Sequence, residues 1–238
     1  MAYEISRFET TAALLSGTVA AWEKWILERA PGRRPPTVAL AGGRVFRAFL
    51  EASARRLQVH RTRLEPLEFF WGDERCVPPG DPESNYLLAR DSFLGPLGIA
   101  RERIHRLRGE VEPQAAATAA EVILRSVTGC GTPATPALDL VFLGMGEDGH
   151  VASLFPGAPP EVTESAAVYL PVTGPKPPPQ RITLSHRMLA AAHEVWVMAS
   201  GPGKEQALRE SLRPGGGTPL ARVLRERAST RLFTDLRV

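Results

Sequence analysis

Lysine, cysteine and long apolar runs are scarce or missing in this sequence of 238 residues, and each shortage excludes some classes of protein. No apolar run reaches the roughly 18 residues that a membrane-spanning helix needs, so we expect no membrane partner. The first ten residues carry charges but no apolar segment, which predicts no secretory leader. The two cysteines, Cys76 and Cys130, form neither a metal-type pair nor a disulfide framework. These shortages favour a protein of the reducing cytoplasm.

Positive charge comes almost entirely from arginine, because lysine occurs only three times, and the formal net charge is +3. The arginines are spread along the chain, which is typical of a compositional bias. They also suit an anionic ligand, since guanidinium binds phosphate through two parallel hydrogen bonds. The segment from Arg101 to Arg108 is the nearest candidate for a basic stripe, but Glu102 interrupts it and it has no aromatic residue for base stacking. We therefore expect no nucleic-acid partner.

Short apolar segments alternate with amphipathic segments along the chain. Helical spacing predicts helices over residues 11–30, 45–58, 84–93, 114–127, 203–212 and 220–227. Apolar runs predict strands over residues 37–40, 67–71, 138–143, 168–172, 181–184, 193–200 and 230–233. This alternation predicts an α/β fold in three layers, with helices on both faces of a mostly parallel sheet. Because no repeat or linker is visible, we expect a single domain over residues 1–238.

Three chemically rich segments come directly after predicted strands. They are Gly42–Gly43, Asp73–Arg75 and Gly144–His150. In mostly parallel α/β sheets, ligands bind beyond the carboxyl ends of the strands. We therefore expect these three segments to converge on one site.

The segment Gly144–His150 formally matches the G-x-G-x-x-G pattern of dinucleotide-binding proteins. Pro156 would interrupt the long helix that normally follows that pattern, and Glu147 and Asp148 would repel a pyrophosphate. A simple tight turn is one alternative. An imidazole beside a carboxylate is better suited to proton transfer, with His150 as the base and Asp148 or another acid orienting its ring. The segment therefore predicts a catalytic loop.

Charged residues also follow the apolar strand that ends at Trp71. Asp73, Glu74 and Arg75 would be unusual inside a core, so one interpretation is a solvated strand end with a local ion pair. The functional interpretation gives Arg75 a phosphate contact and Asp73 a role in positioning the site.

Further candidates for binding an anion stand at helix or strand starts. Lys204 follows a Gly-Pro-Gly segment at a predicted helix start, where backbone N–H groups and the helix dipole favour the binding of phosphate. The alternative is that Lys204 is an ordinary surface lysine. Gly42 and Gly43 either offer N–H groups to an anion or form a tight strand-to-helix turn. Arg181 follows the proline-rich segment 176–179, a candidate lid, and is a further candidate for binding the substrate.

Taken in order, these motifs resemble the 6-phosphogluconolactonase family, part of the glucosamine-6-phosphate isomerase/6-phosphogluconolactonase superfamily. The resemblance extends from about residue 37 to residue 235 and rests on Phe70–Pro78, Ser84–Tyr86, Leu143–Gly157, Lys176–Leu184 and Gly203–Lys204. It implies a Rossmann-like fold without a nucleotide and with a small additional antiparallel β element. It also implies an enzyme that uses no metal or cofactor.

The resemblance implies the hydrolysis of 6-phosphoglucono-1,5-lactone, a phosphorylated sugar lactone, to 6-phosphogluconate. It places the base at His150 and gives phosphate contacts to Arg75 and Lys204, with Asp73 and Asp148 in the same site. We expect a monomer or a weak homodimer.

One departure from the family pattern leaves alternatives open. The family usually reads Ser-Gly-Gly-Ser-Thr-Pro after the first strand, whereas residues 41–46 read Ala-Gly-Gly-Arg-Val-Phe. Arg44 either replaces the missing hydroxyls with charge-assisted contacts or crowds the pocket. The second case predicts a non-catalytic homologue or one with altered specificity. A glucosamine-6-phosphate deaminase-like isomerase is disfavoured, because its Ile-Ala-Phe-Asn-Glu-Pro motif carries an acid that residues 151–156 lack.

Overall fold

The structure is a computed structural model that describes residues 3–29, 34–60, 64 and 67–238. Its helices, in chain order, are α1 (Thr11–Leu27), α2 (Arg44–His60), α3 (Asn85–Ala89), α4 (Pro113–Thr128), α5 (Pro160–Thr163), α6 (His186–Ala191), α7 (Glu205–Leu212) and α8 (Pro219–Glu226). Its strands are β1 (Tyr3–Arg7), β2 (Thr37–Leu40), β3 (Glu68–Trp71), β4 (Asp73–Arg75), β5 (Leu140–Gly144), β6 (Tyr169–Thr173), β7 (Gln180–Leu184), β8 (Glu194–Ala199) and β9 (Thr230–Thr234). A π-helical turn, Arg90–Leu94, continues α3, and a short 3₁₀ turn covers Arg101–Arg103.

Two sheets organise the described residues. The main sheet has six strands in the order β1-β9-β8-β5-β2-β3, and its neighbouring strands run parallel. The other three strands form the antiparallel sheet β4-β7-β6. Both the mostly parallel sheet and the small antiparallel element are therefore confirmed.

The strand order places the helices on both faces of the main sheet. Crossovers between parallel strands are right-handed, so connections that run in opposite directions along the sheet lie on opposite faces. The connection from β2 to β3 carries α2, which packs against α1. The connections from β5 to β8 and from β8 to β9 run the other way, and their helices α6 and α7 both pack on α8. The central strands are covered on both sides, which explains their continuous apolar sequences.

An aromatic cluster attaches α1 and α2 to the centre of the sheet. The ring of Phe142 in β5 has its centroid 5.2–5.7 Å from those of Trp22, Phe46, Phe49 and Trp196. All five side chains are fully buried. Burying a side chain of this size stabilises the fold by about 1.5–3 kcal/mol. This packing fixes the N-terminus of α2 beside the carboxyl end of β5.

Most predicted elements are found within a few residues of their predicted bounds. The helix predicted over 11–30 ends at Leu27, and residues 30–33, which include part of an expected loop, lie outside the described residues. The helix predicted over 84–93 is split into α3 and the π-helical turn. Strand β1 and helices α5 and α6 were not predicted.

The segment Asp73–Arg75 forms a strand of its own, β4, whereas the sequence analysis predicted a strand only up to Trp71. Its charged residues carry no apolar alternation from which a strand could be recognised. It is a strand because its backbone pairs with β7, a segment far away in the sequence. Among the described residues, no helix combines the length and the apolarity required to cross a membrane.

Candidate active site

A cleft of about 570 Å³ opens at the carboxyl ends of the central strands. Eight of the predicted site residues line it: Gly42, Gly43, Arg44, Asp73, Arg75, His150, Arg181 and Lys204. The ninth, Asp148, contacts the side chain of His150. The three strand-end segments therefore converge as predicted, whereas the chemical roles of their residues stay predictions.

The imidazole of His150 is held by a neighbouring carboxylate. Its Nδ1 lies 2.5 Å from Oδ1 of Asp148, and the same oxygen accepts the His150 backbone N–H at 3.1 Å. Partial burial opposes ionisation of Asp148, but the hydrogen bonds and charge of His150 lower the pKa of this carboxyl below its usual value. Because an ionised carboxylate only accepts hydrogen bonds, it selects the tautomer with the proton on Nδ1. Nε2 then carries the free lone pair that a base needs.

Two glycines shape the loop that presents His150. A Cβ on Gly146 would stand 2.1 Å from both Cε1 and Nδ1 of the imidazole, so the ring occupies space that only glycine leaves. Gly149 has a φ of +80°, and a Cβ there would also meet the side chain of Thr218 at 2.7 Å. The amide of Gly146 donates to the His150 carbonyl at 2.9 Å and closes the turn. The glycine pattern that resembles a dinucleotide motif thus serves to seat an imidazole.

The next turn of chain packs an aromatic ring against His150. The ring centroid of Phe155 lies 4.8 Å from that of His150, and the guanidinium carbon of Arg181 lies 5.6 Å from the same phenyl ring. Ala152, which lies between His150 and Phe155 in the sequence, lines the cleft. Its φ of +48° is a left-handed conformation that is unfavourable for a residue with a Cβ. Backbone strain of this kind is concentrated at functional sites.

Asp73 is fixed by hydrogen bonds from two other segments. Ser153 Oγ donates to one carboxylate oxygen at 2.5 Å. Asn85 Nδ2 donates to the backbone carbonyl of Asp73 at 2.9 Å and to the other carboxylate oxygen at 3.3 Å. Both partners are buried. The carboxylate of Asp73 therefore has a defined orientation at the wall of the cleft.

A buried carboxylate, Glu74, ties strand β4 to the start of α3. It accepts backbone N–H groups from Arg75, Asn85 and Tyr86 at 2.7–2.8 Å and the hydroxyl of Ser84 at 3.0 Å. Burial raises the pKa of Glu74, and these four hydrogen bonds oppose that rise. The carboxylate therefore fixes the backbone of two residues that line the cleft, Arg75 and Asn85.

The four cationic residues of the cleft form two pairs. Arg75 and Arg181 lie directly opposite each other on β4 and β7. Burial and then the charge of Arg75 lower the pKa of Arg181. In the second pair, Arg44 begins α2 and Lys204 immediately precedes α7. Burial and then the charge of Arg44 lower the pKa of Lys204.

The two pairs differ in whether their side-chain donors already have hydrogen-bond partners within the protein. Arg75 donates from Nη1 to the backbone and side chain of Glu83, at 2.7 and 3.1 Å. Arg181 donates to the backbone carbonyls of Lys176 and Pro178 in the proline-rich segment. By contrast, neither the side chain of Arg44 nor that of Lys204 forms a hydrogen bond or ion pair with any residue that the structure describes. The second pair is thus free to bind an external anion.

Several residues of the site were not predicted as functional. Asn85 and Ser153 lie within the family-like motifs but had been given no role, because neither side chain suggests chemistry without its partner. Thr11 and Ser200 line the cleft and donate to the same oxygen of Asp235, at 2.5 and 2.9 Å. Only tertiary contacts identify these residues. Among the described residues, no cluster of three or more His, Cys, Asp or Glu side chains has an arrangement that could hold a metal ion.

Comparisons with known proteins identify relatives of this chain. A family model described as glucosamine-6-phosphate isomerases/6-phosphogluconolactonase matches residues 9–233. A 6-phosphogluconolactonase of Streptomyces coelicolor is 37% identical over 199 residues, covering 80% of this chain and 76% of that protein. One of Mycobacterium bovis is 36% identical over 180 residues, covering 73% and 69%. The solved 6-phosphogluconolactonase of Trypanosoma brucei has a TM-score of 0.82 at 29% identity, covering 97% of this chain and 95% of that one.

Proposed function

The chain belongs to the family of glucosamine-6-phosphate isomerases and 6-phosphogluconolactonases, and on that premise we propose that it hydrolyses 6-phosphoglucono-1,5-lactone to 6-phosphogluconate. The membership confirms the resemblance predicted from the motifs. The observation that carries the proposal is the shared cleft, in which an imidazole held by a carboxylate faces the same space as two cationic pairs. A phosphorylated lactone needs both parts: a base for its carbonyl and cations for its phosphate.

His150 is the general base of the proposed mechanism. Its Nε2 takes a proton from water as the water oxygen bonds to C1 of the lactone. Asp148 stabilises the imidazolium that forms, because its carboxylate accepts the Nδ1 proton at 2.5 Å. The bond between C1 and the ring oxygen then breaks, and His150 returns the proton to that oxygen. A positioned base of this kind contributes about 100- to 10,000-fold to the rate.

Asp73 acts in this mechanism as an acceptor fixed at the wall of the cleft. Its carboxylate is oriented by Ser153 and Asn85, so it presents a defined polar edge to the substrate. A sugar lactone carries hydroxyl groups that donate to such an edge, and holding them sets the carbonyl against the base. The role proposed for Asp73 is therefore to orient the substrate, whereas proton transfer belongs to His150.

The phosphate is bound by Arg44 and Lys204 with the Gly42–Gly43 turn. Both cations lack partners among the described residues, and both stand where a helix begins, so N–H groups and the helix dipole add to their charge. A dianionic phosphate would relieve the repulsion between the two cations. This arrangement favours the interpretation that Arg44 replaces the missing hydroxyls and argues against an obstructed pocket.

Further properties follow from the same chemistry. A base, an orienting carboxylate and cations account for ester hydrolysis without a metal or cofactor, so we propose a metal-independent enzyme. We also propose that it acts in the cytoplasm, where its phosphorylated substrate would be made, and that it works as a monomer or weak homodimer.

Acid release from freshly prepared 6-phosphoglucono-1,5-lactone tests the proposal. The purified protein should release one proton for each lactone hydrolysed, well above the uncatalysed rate, and glucono-1,5-lactone should be a much poorer substrate. Ammonia release from glucosamine 6-phosphate would select the isomerase alternative. Binding of 6-phosphogluconate without lactone turnover would select a non-catalytic homologue. Either result would contradict the proposed activity.

A further inference from the structure

We propose that Arg75 and Arg181 form a second anion subsite, separate from the phosphate subsite, which holds the oxyanion that develops at C1 and then the carboxylate of the product. The proposal rests on the proposed lactonase function. It differs from the family resemblance, which assigns Arg75 to the phosphate.

The first observation is a like-charged pair of which only one member, Arg75, has an ion-pair partner, Glu83, among the described residues. Arg75 and Arg181 occupy directly opposite positions on antiparallel strands, an arrangement that is unfavourable for equal charges. Arg181 is 7% exposed, and no carboxylate forms an ion pair with it among the residues that the structure describes. A buried charge of this kind is costly unless something compensates it. The charges of Asp73 and Glu83 compensate it in part, and an anionic ligand between the two guanidinium groups would add to that compensation.

The second observation is an unused donor on Arg75. Its Nε is buried and has no hydrogen-bond partner, although its Nη1 is anchored to Glu83. Buried donors without a partner are rare, and each one requires an explanation. The Nη2 of Arg75 and the Nη1 of Arg181 also have no partner among the described residues. The fixed arginines thus keep donors available, and planar guanidinium donors match the two oxygens of a carboxylate.

The third observation is the position of this pair relative to the base. Phe155 contacts both the His150 ring and the Arg181 guanidinium, so the base and the Arg75–Arg181 pair share one end of the cleft. The base must stand at C1, whereas the phosphate hangs from C6, the substituent on the ring carbon beyond the ring oxygen. Arg44 and Lys204 come from other elements, the starts of α2 and α7. The two cationic pairs therefore suit the two ends of one substrate.

The chemistry at C1 requires an anion site at that end. When the water oxygen bonds to C1, the carbonyl electron pair moves onto the carbonyl oxygen and makes it negative. When the C1–ring oxygen bond breaks, that electron pair returns and a carboxylic acid forms, which releases its proton to solvent as a carboxylate. Donors that are already in place for such an oxyanion lower the barrier without reorganising. The same donors would then bind the product.

Two ligands that differ at one end test the proposal. 6-Phosphogluconate carries both a phosphate and a carboxylate, whereas glucitol 6-phosphate has a hydroxymethyl group in place of the carboxylate. The dissociation constant of 6-phosphogluconate, measured by calorimetry, should rise about tenfold or more in Arg181→Gln. This is the change expected for one lost charged hydrogen bond. Binding of glucitol 6-phosphate should change less than about twofold. Lys204→Gln should weaken both ligands by a similar factor.

Controls separate this subsite from general damage. Arg90→Gln removes an exposed arginine that pairs with Asp91 on the surface and should change neither constant. Arg75→Gln repeats the test if Arg181→Gln does not fold, because Arg181 also supports the proline-rich segment. For lactone turnover, both variants should lower kcat more than they raise KM, since the oxyanion exists only beyond the ground state.

The proposal would be overturned if the variants weakened both ligands equally, since the pair would then hold the phosphate. It would also be overturned if neither ligand were affected. A wild-type protein that binds 6-phosphogluconate but does not hydrolyse the lactone would instead contradict the proposed function, so the two failures are distinguishable.

Discussion

The amide oxygen of Asn85 occupies the space that a side chain on Gly42 would fill. A Cβ built on Gly42 would stand 1.9 Å from Asn85 Oδ1, far inside van der Waals contact. The Nδ2 of the same amide donates to Asp73. Gly42 therefore has a second role besides forming a turn. Its lack of a side chain allows the loop after β2 to pack against the start of α3 at the wall of the cleft.

Gly42→Ala should disrupt this contact and lower kcat/KM by about 100-fold, the effect expected when site groups are displaced by about 1 Å. Turnover of the phosphorylated lactone is the measurement. Gly80→Ala is the matched control, because a Cβ there would meet nothing within 4 Å. In an Asn85→Ala background the same change at Gly42 should cost much less, since the obstructing atom is gone. Additive losses would contradict the contact as the cause.

His150→Ala should lower kcat by about 100- to 10,000-fold, because it removes the proposed general base. The dissociation constant of 6-phosphogluconate should stay within about twofold, since the proposed anion subsites are unchanged. His193→Ala removes an exposed histidine and serves as the control. Near-normal turnover in His150→Ala would rule out the mechanism.

Arg44→Ser should raise KM for the phosphorylated lactone about tenfold, as expected for one lost charge-assisted contact. Turnover of unphosphorylated glucono-1,5-lactone should not change, because that substrate lacks the group Arg44 binds. Arg47→Ser, an exposed change one turn along α2, controls for general effects on the helix. Increased activity in Arg44→Ser would instead indicate that Arg44 obstructs the pocket.

His186 predicts a loss of stability in acid. Burial and then the charge of Arg222 lower the pKa of this histidine from 6.5 to about 4. Below the unfolded pKa the unfolded chain takes up a proton that the folded chain does not, so stability falls as the pH drops from 6.5 towards about 4. Thermal unfolding across this range should show a shallower decline for His186→Gln than for the wild type. Equal declines in the wild type and in His186→Gln would contradict the assignment of this pH dependence to His186. The control is His193→Gln, which changes an exposed histidine.

Much of the fold and the location of the site could be predicted from local sequence. Apolar runs and helical spacing indicated the parallel sheet, because side-chain periodicity reflects which face of an element is buried. The carboxyl ends of parallel strands meet at one edge, so Gly42, Asp73 and His150 could be placed together from their positions after strands. The charged strand β4 was missed, since its pairing comes from β7 and leaves no pattern in its own residues.

Local sequence is enough to identify the residue types of the site and their order along the chain: a histidine two residues after an acid, and cations at strand and helix ends. Long-range contacts establish which cations face each other and which side chain fills the space above a glycine. Strand register and helix packing set those distances between segments far apart in the chain. Local patterns encode the periodicity of each segment but not the register between two segments.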